Sequence, residues 1–204
     1  MSISAQYASY WLWAIWYASW IIAAAWASRA ISRPRVSGAV LHRIFASLGV
    51  ALLFFIPTSL NRYDHLWWNF PRVQLLARPL WSEPSGVSWA LFALTCASFA
   101  FCWWARLHLG KLWSGFVTTK AAHHIVDTGP YRLVRHPIYT GAIFAALTTA
   151  CIKASPAAFL GFALIALGFW MTARIEERFL RQELGAEAYD AYSRRTPMII
   201  PLLR

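Results

Sequence analysis

From Ser2 to Ser28 the chain carries no charged side chain. That stretch is longer than the ~20 residues an α-helix needs to cross a bilayer. It is crowded with aromatic rings: Tyr7, Tyr10, Trp11, Trp13, Trp16, Tyr17, Trp20 and Trp26. Four further apolar runs follow at 44–60, 87–105, 137–152 and 156–173. With 59% hydrophobic and 13% charged residues and a mean hydropathy of +0.45, the chain has more apolar surface than one soluble core can bury. The expected fold class is therefore all-α and integral to a membrane, with five transmembrane helices. The 204 residues suit one membrane domain. Residues 1–105 would supply the first three spans, and 106–204 the last two with a C-terminal amphipathic helix.

The runs predict helices at about 7–28, 44–60, 87–105, 137–152 and 156–173. The first has no basic start and is too long for a cleaved signal peptide. Pro57 is placed to kink or end the second. Residues 61–86, with Trp67, Trp68, Trp81, Pro71, Pro79 and Pro84, read as an interfacial segment. The fourth run is short for a bilayer, which predicts interfacial ends or snorkelling at Lys153. The fifth continues without a breaker through Arg174 to Leu184, where Phe179, Leu180 and Leu184 recur at helical spacing. Gly185 is the expected stop. Cys96, Cys102 and Cys151 lie inside apolar runs without metal-ligand spacing and read as small buried residues.

The net charge of +11 does not point to nucleic acid, because the basic residues sit in short blocks between apolar runs. Counted in order, the inter-span segments and tail hold four, three, five, one and six Lys or Arg. The first, third and last lie on one side of a five-span protein and hold fifteen of the nineteen. Positive-inside logic places them in the cytoplasm and the N-terminus outside, in an inner or cell membrane.

The polar stretch 120–141 interrupts this apolar chain. It holds His123, His124 and His136, two prolines, two glycines and a basic cluster. Pro137 suits the first position of a helix, and His136 before it is pushed toward extended geometry. Free backbone N–H groups at that helix start, beside Arg135 and His136, predict a carboxylate or phosphate site. Thr128-Gly129-Pro130-Tyr131 reads as a turn that returns Tyr131 to it. Tyr139 follows His136 by three residues, on the same helical face, where its ring could meet a cation. A second constellation, Arg174, Glu176 and Glu177, lies just past the fifth span. It also reads as a solvated cap of helix-spaced ion pairs, Arg174–Glu177 and Glu177–Arg181. An anion pocket, paired carboxylates and aromatic rings suit a zwitterionic, cationic cofactor such as S-adenosylmethionine.

His123-His124-Ile-Val-Asp-Thr-Gly-Pro-Tyr-Arg-Leu-Val-Arg-His-Pro-Ile-Tyr-Thr-Gly resembles the core motif of the isoprenylcysteine carboxyl methyltransferase and phospholipid methyltransferase superfamily. That motif runs His-x-Leu-Val, a Gly-x-Tyr turn, then Arg-His-Pro-x-Tyr-x-Gly. Glu176-Glu177-Arg-Phe-Leu180, Leu184-Gly185, Tyr189, Tyr192 and Pro201 are similar to its second half. Arg106-Leu-His-Leu-Gly110-Lys-Leu-Trp113 is similar to its lead-in. Leu184 departs from the Phe often found before the glycine, a change of packing. The resemblance covers roughly residues 100–204. It implies a membrane methyltransferase that uses S-adenosylmethionine in a cytosolic pocket formed by the C-terminal half. It further implies cofactor-binding positions at His123, Val126, Gly129, Tyr131, Arg135, His136, Tyr139 and Glu176, and catalytic positions at Arg174 and Glu177. No metal is implied. The expected partners are membrane lipids and a lipid-borne or prenylated acceptor, with no nucleic acid. A prenylcysteine-like carboxylate is the first choice of acceptor and a phospholipid amine the alternative. A sterol-type membrane reductase using a nicotinamide cofactor, and a scaffold in which the motif only sets topology, are the competing readings.

Overall fold

The first apolar run folds as α1, Ala5–Ala24, and Ser4 caps it by accepting the Tyr7 N–H on its side-chain oxygen. The architecture is that of a computed structural model describing residues 4–25, 39–56, 71–82, 84–110, 113 and 125–201. Along the chain come α2 (Ala39–Phe55), α3 (Pro71–Ala77), α4 (Ser85–Leu109), α5 (Pro130–Leu133), α6 (Pro137–Lys153), α7 (Pro156–Leu184) and α8 (Ala186–Arg195). Among the described residues there is no strand. The expected 44–60 helix begins five residues earlier, at Ala39, and stops at Phe55, ahead of Pro57. A residue before proline disfavours helical geometry, so the backbone leaves the helix there. The 61–86 stretch contains the short α3, and α4 overruns the expected 87–105 by about one turn at its end.

Among the described residues five long helices pack as neighbours: α2 on α7, α4 on α6, α6 on α7, and α1 against α4 and α6. Close approach is set by small residues. A Cβ on Gly161 would lie 2.7 Å from both Gly49 O and Leu53 N, and one on Gly49 would lie 2.7 Å from Gly161 O. The α2 and α7 backbones therefore touch through their glycines, the small-residue contact that membrane helices use. Gly141 plays the same part between α6 and α4, where its Cβ would meet Cys102 Sγ at 2.5 Å and Ser98 O at 2.8 Å. Buried hydroxyls add polar ties: Thr95 to Thr148 (2.8 Å) and the Trp13 indole N–H to Thr149 (2.9 Å).

Lys153 does not snorkel. It is buried, and Nζ donates to Leu53 O (2.6 Å) and Ile56 O (2.9 Å). The last carbonyls of α2 lack helical partners and carry the negative end of its dipole, so a cation turned inward satisfies both needs. Apolar side chains cover the outside instead. Trp11 and Phe55 are each 70% exposed, and Ile15, Ile22, Leu48, Leu94, Phe144 and Leu167 also face outward. An apolar exterior of this extent is that of a membrane protein. By length and composition α4 and α7 can each cross a membrane, while Val40–Phe55 and α6 are shorter apolar helices.

Candidate active site

The polar residues of the motif gather where α1 and α4 end and α6 begins. Gly129 adopts φ +56°, and a Cβ there would meet the His108 ring at 2.7 Å, so the turn requires glycine. His108 Nε2 and Thr128 Oγ1 lie 2.9 Å apart, fastening the turn to the end of α4. The chain then makes the short α5, in which Tyr131 is buried. Pro137 takes the first position of α6, with His136 as the cap residue at φ −123° and ψ 63°.

The backbone N–H groups just ahead of this helix start are paired from within. Arg135 N donates to Pro197 O (2.8 Å) and His136 N to Met198 O (3.0 Å). Thr140 Oγ1 donates to Ile199 O (2.6 Å), and Tyr192 Oη to Tyr131 O (2.8 Å). The C-terminal segment is thereby zipped along the motif. The Arg135 guanidinium completes the clasp: Nε donates to Glu177 Oε1 (2.7 Å), and Nη1 to Ser193 O (2.9 Å) and to Thr196 O. The fork is thus anchored at both Nε and Nη1 within the protein.

His136 lies between the two glutamates. Its Nε2 is 3.3 Å from Glu177 Oε1 and its Nδ1 3.6 Å from Glu176 Oε2. The imidazole stacks on Tyr139 with ring centres 5.3 Å apart and planes 2° from parallel, and Tyr139 stacks in turn on Phe169 at 5.0 Å. Tyr139 Oη donates to Glu176 Oε2 (2.9 Å). The two carboxylates differ in environment. Glu177 belongs to the clasp. Burial alone would raise its carboxyl, but hydrogen bonds from His136 and Arg135 and their positive charges outweigh burial and hold it below the ordinary glutamate value. Glu176 is the more open of the pair, with its side chain 28% exposed against 14% for Glu177.

These groups border a cavity of about 300 Å³, within the usual range of small-molecule sites. Val126, Tyr131, Arg135, His136, Tyr139 and Glu176 line it, joined by Tyr189 and Tyr192 of α8. Burial, followed by the nearby charge of Glu176, pushes the Tyr131 phenol up. Burial likewise raises Tyr189 and Tyr192, so all three stay neutral donors at physiological pH. The remaining lining is apolar and includes four aromatic rings, Trp16 and Trp20 of α1, Trp113 and Phe169.

Of the sequence-predicted residues, six line the cavity. Gly129 shapes the turn behind it, and Glu177 stands behind His136. Arg174 is exposed, its guanidinium 5.8 Å over the Trp170 ring, and is not part of the cavity lining. The spacing that makes Arg174 a neighbour of Glu177 on the helix does not turn its side chain inward. His123 lies outside the described residues. Sequence reading gave α1 no share in the site, although Trp16 and Trp20 form part of its wall. Their spacing of four places them on one helix face, the single signal available. Helix α8 was also unforeseen, and only its Tyr189–Tyr192 pair at i, i+3 hinted at it. Among the described residues no group of three or more His, Cys, Asp or Glu is placed to hold a metal ion.

Fold and site together define a helical membrane protein with an amphiphilic cavity, charged where the motif meets α7 and aromatic along α1. Residues 90–182 match the isoprenylcysteine carboxyl methyltransferase family model. That segment includes the motif from His123 to Gly141 and the Glu176–Glu177 pair, which carry the resemblance. It is 35% identical over 83 residues to a probable protein-S-isoprenylcysteine O-methyltransferase of Oryza sativa subsp. indica, covering 40% of this chain and 42% of that protein. Protein-S-isoprenylcysteine O-methyltransferase B of Arabidopsis thaliana is 31% identical over 83 residues, 40% of this chain and 41% of that protein. The nickel-cobalt-cadmium resistance protein NccN of Alcaligenes xylosoxydans xylosoxydans is 31% identical over 105 residues, 47% of this chain and 45% of that protein. The matched region spans less than half the length of each of these relatives.

Proposed function

We propose that the protein is an S-adenosylmethionine-dependent membrane methyltransferase that O-methylates a lipid-borne carboxylate, with an isoprenylated cysteine as the acceptor class. The supporting observation is the cavity itself, which has a carboxylate and phenols at one part of its lining and tryptophans at another. In this reading five helices cross an inner or cell membrane, and the cavity and C-terminus face the cytoplasm. The donor, when bound, supplies a methyl group on a cationic sulfur. The residues present fit such a group: Glu176 offers a negative charge, and the ring of Tyr131 in the lining suits a cation. Tyr189 offers a neutral hydrogen-bond donor. His136 separates the two carboxylates and holds Tyr139 in place by stacking, and the Arg135–Glu177 clasp fixes the motif beneath them.

A carboxylate acceptor needs no base, since a chain-terminal carboxyl ordinarily titrates at about pH 3.3–3.7 and is ionised at neutral pH. The protein's task is then to orient two reactants and exclude water. A lipid-borne acceptor gains about 0.8 kcal/mol per CH₂ by keeping its chain in hydrocarbon, so lateral entry from the bilayer suits it, while the charged donor enters from water. One observation favours a second reading, N-methylation of a phospholipid amine. Glu176 is a carboxylate in the cavity lining, whereas Arg174, a cation suited to an acceptor carboxylate, is exposed away from it. The test offers purified protein a farnesylated N-acetylcysteine and phosphatidylethanolamine in parallel, with labelled methyl donor. Base-labile label on the first supports O-methylation. Label in the lipid amine alone overturns it. Calorimetric binding of NADPH but not of S-adenosylhomocysteine would replace both with the reductase reading.

A further inference from the structure

Arg106 is not part of the cavity lining, yet it is only 2% exposed at the end of an apolar helix. A charge buried there is costly, and such residues are retained where they serve the working site. Its partners are specific. Nη2 donates to Ala23 O (2.9 Å) in the last turn of α1, and Nη1 to Gly110 O (2.9 Å) just past α4. Both carbonyls sit at helix C-termini, where a cation is favoured. Gly110 O also accepts from the backbone N–H of Trp113 (3.4 Å). The guanidinium lies over the Trp113 ring, 4.2 Å from its centre. One side chain thus ties the end of α1, the end of α4 and Trp113 together.

The contact continues into the cavity. Trp113 meets Trp20 edge-on at 5.6 Å, Trp20 packs on Trp16 at 5.0 Å, and Trp16 stacks on Phe99 at 4.6 Å. Trp16, Trp20 and Trp113 all line the cavity. Two buried donors on this wall, Arg106 Nε and Trp16 Nε1, have no hydrogen-bond partner among the described residues.

We propose that Trp16, Trp20 and Trp113 form the subsite for the acceptor's hydrocarbon chain and that Arg106 is the positioning residue that holds this wall in register. The inference rests on the methyltransferase reading for the identity of the acceptor. It separates the labour of the cavity: the motif and α7 serve the donor, and α1 with Arg106 serves the chain of the acceptor. Arginine is required because its rigid fork reaches two carbonyls while its plane covers an indole; lysine has one point of charge.

The experiment uses the full chain in lipid nanodiscs, as wild type, Arg106→Gln, Arg106→Lys, Trp113→Leu and Trp113→Phe. It records S-adenosylhomocysteine binding by calorimetry, binding of farnesylated N-acetylcysteine, and KM and kcat for that acceptor. Arg106→Gln and Trp113→Leu should raise the acceptor KM roughly ten-fold, with kcat and S-adenosylhomocysteine affinity within about two-fold. Trp113→Phe, which keeps a ring under the guanidinium, should restore most of the affinity, and Arg106→Lys only part. An unchanged acceptor KM in folded Arg106→Gln, or acceptor and cofactor affinity falling together, overturns the proposal. If Arg106→Gln does not fold, the Trp113 pair decides by the same criteria. A wild type that binds the farnesylated compound but no S-adenosylhomocysteine refutes the methyltransferase reading, and the effect of Arg106 on lipid binding still decides the positioning role. A wild type that does not bind the farnesylated compound refutes the subsite.

Discussion

Replacing Glu177 by Gln removes one charge from the clasp while nearly preserving its shape. In the wild type Glu177 Oε1 accepts from Arg135 Nε at 2.7 Å and lies 3.3 Å from His136 Nε2, with its side chain 14% exposed. A hydrogen bond to a charged group contributes about 1.5–3 kcal/mol, and the amide oxygen of Gln still accepts a weaker bond from Arg135. The expected net loss at pH 7 is therefore about 1–2 kcal/mol. For a chain of this size that corresponds to a Tm lower by about 2–8 °C. The pH dependence gives a second reading. The Glu177 carboxyl is held below the ordinary glutamate value. Its contribution is thus fully present above about pH 4.3, the unfolded value, and is lost as pH falls through the lower folded value. Glu177→Gln should flatten that part of the acid limb while lowering the neutral plateau. The assay is thermal unfolding in detergent followed by tryptophan fluorescence from about pH 3 to 8 in steps of about half a unit. An unchanged Tm at pH 7 together with an unchanged acid limb would refute the clasp.

Gly161→Ala places a methyl group 2.7 Å from Gly49 O and Leu53 N, both backbone atoms. The α2–α7 pair must separate, and stability should fall by about 1–3 kcal/mol in a detergent unfolding titration. A loss below about 0.3 kcal/mol would mean that the helices are not in backbone contact. His136→Ala removes the ring between Glu176 and Glu177 and the stack beneath Tyr139. S-adenosylhomocysteine binding measured by calorimetry should weaken roughly ten-fold, and wild-type affinity in a folded variant would remove His136 from the donor site. A reporter fused to the C-terminus should be active in the cytoplasm, as the Lys and Arg bias requires; activity only outside would reverse the topology.

Much of the architecture could be read from the chain because membrane helices are specified locally. A helix in hydrocarbon needs an apolar run of sufficient length and satisfies its own backbone. Hence the start of α6 at Pro137 and the limits of α7, from Pro156 to the stop before Gly185, agree with the sequence reading. The turn that buries Tyr131 was legible for the same reason: a glycine at positive φ followed by a proline fixes the backbone within four residues. Nothing local relates Glu176 to residue 139; the charge bias puts both segments on one membrane face, and the family resemblance pairs them.

Tertiary structure alone decided which charges face one another. Glu176 and Glu177 are adjacent in sequence, but consecutive helix positions point about 100° apart. One therefore lines the cavity and the other closes the Arg135 clasp, while Arg174 faces outward beside Trp170. Carbonyls of the distant C-terminal segment, on Pro197 and Met198, take the Arg135 and His136 N–H groups just before the helix start at Pro137. Lys153 and Arg106 look like boundary cations in the sequence. Both turn inward because packing brings carbonyls at the end of another helix within reach. Sequence determined where helices could form, since that choice depends on residues within a few turns. Which side chains meet depends on helix rotation and close approach, set here by glycines such as Gly49 and Gly161, which lie far apart in the chain and back to back in the fold.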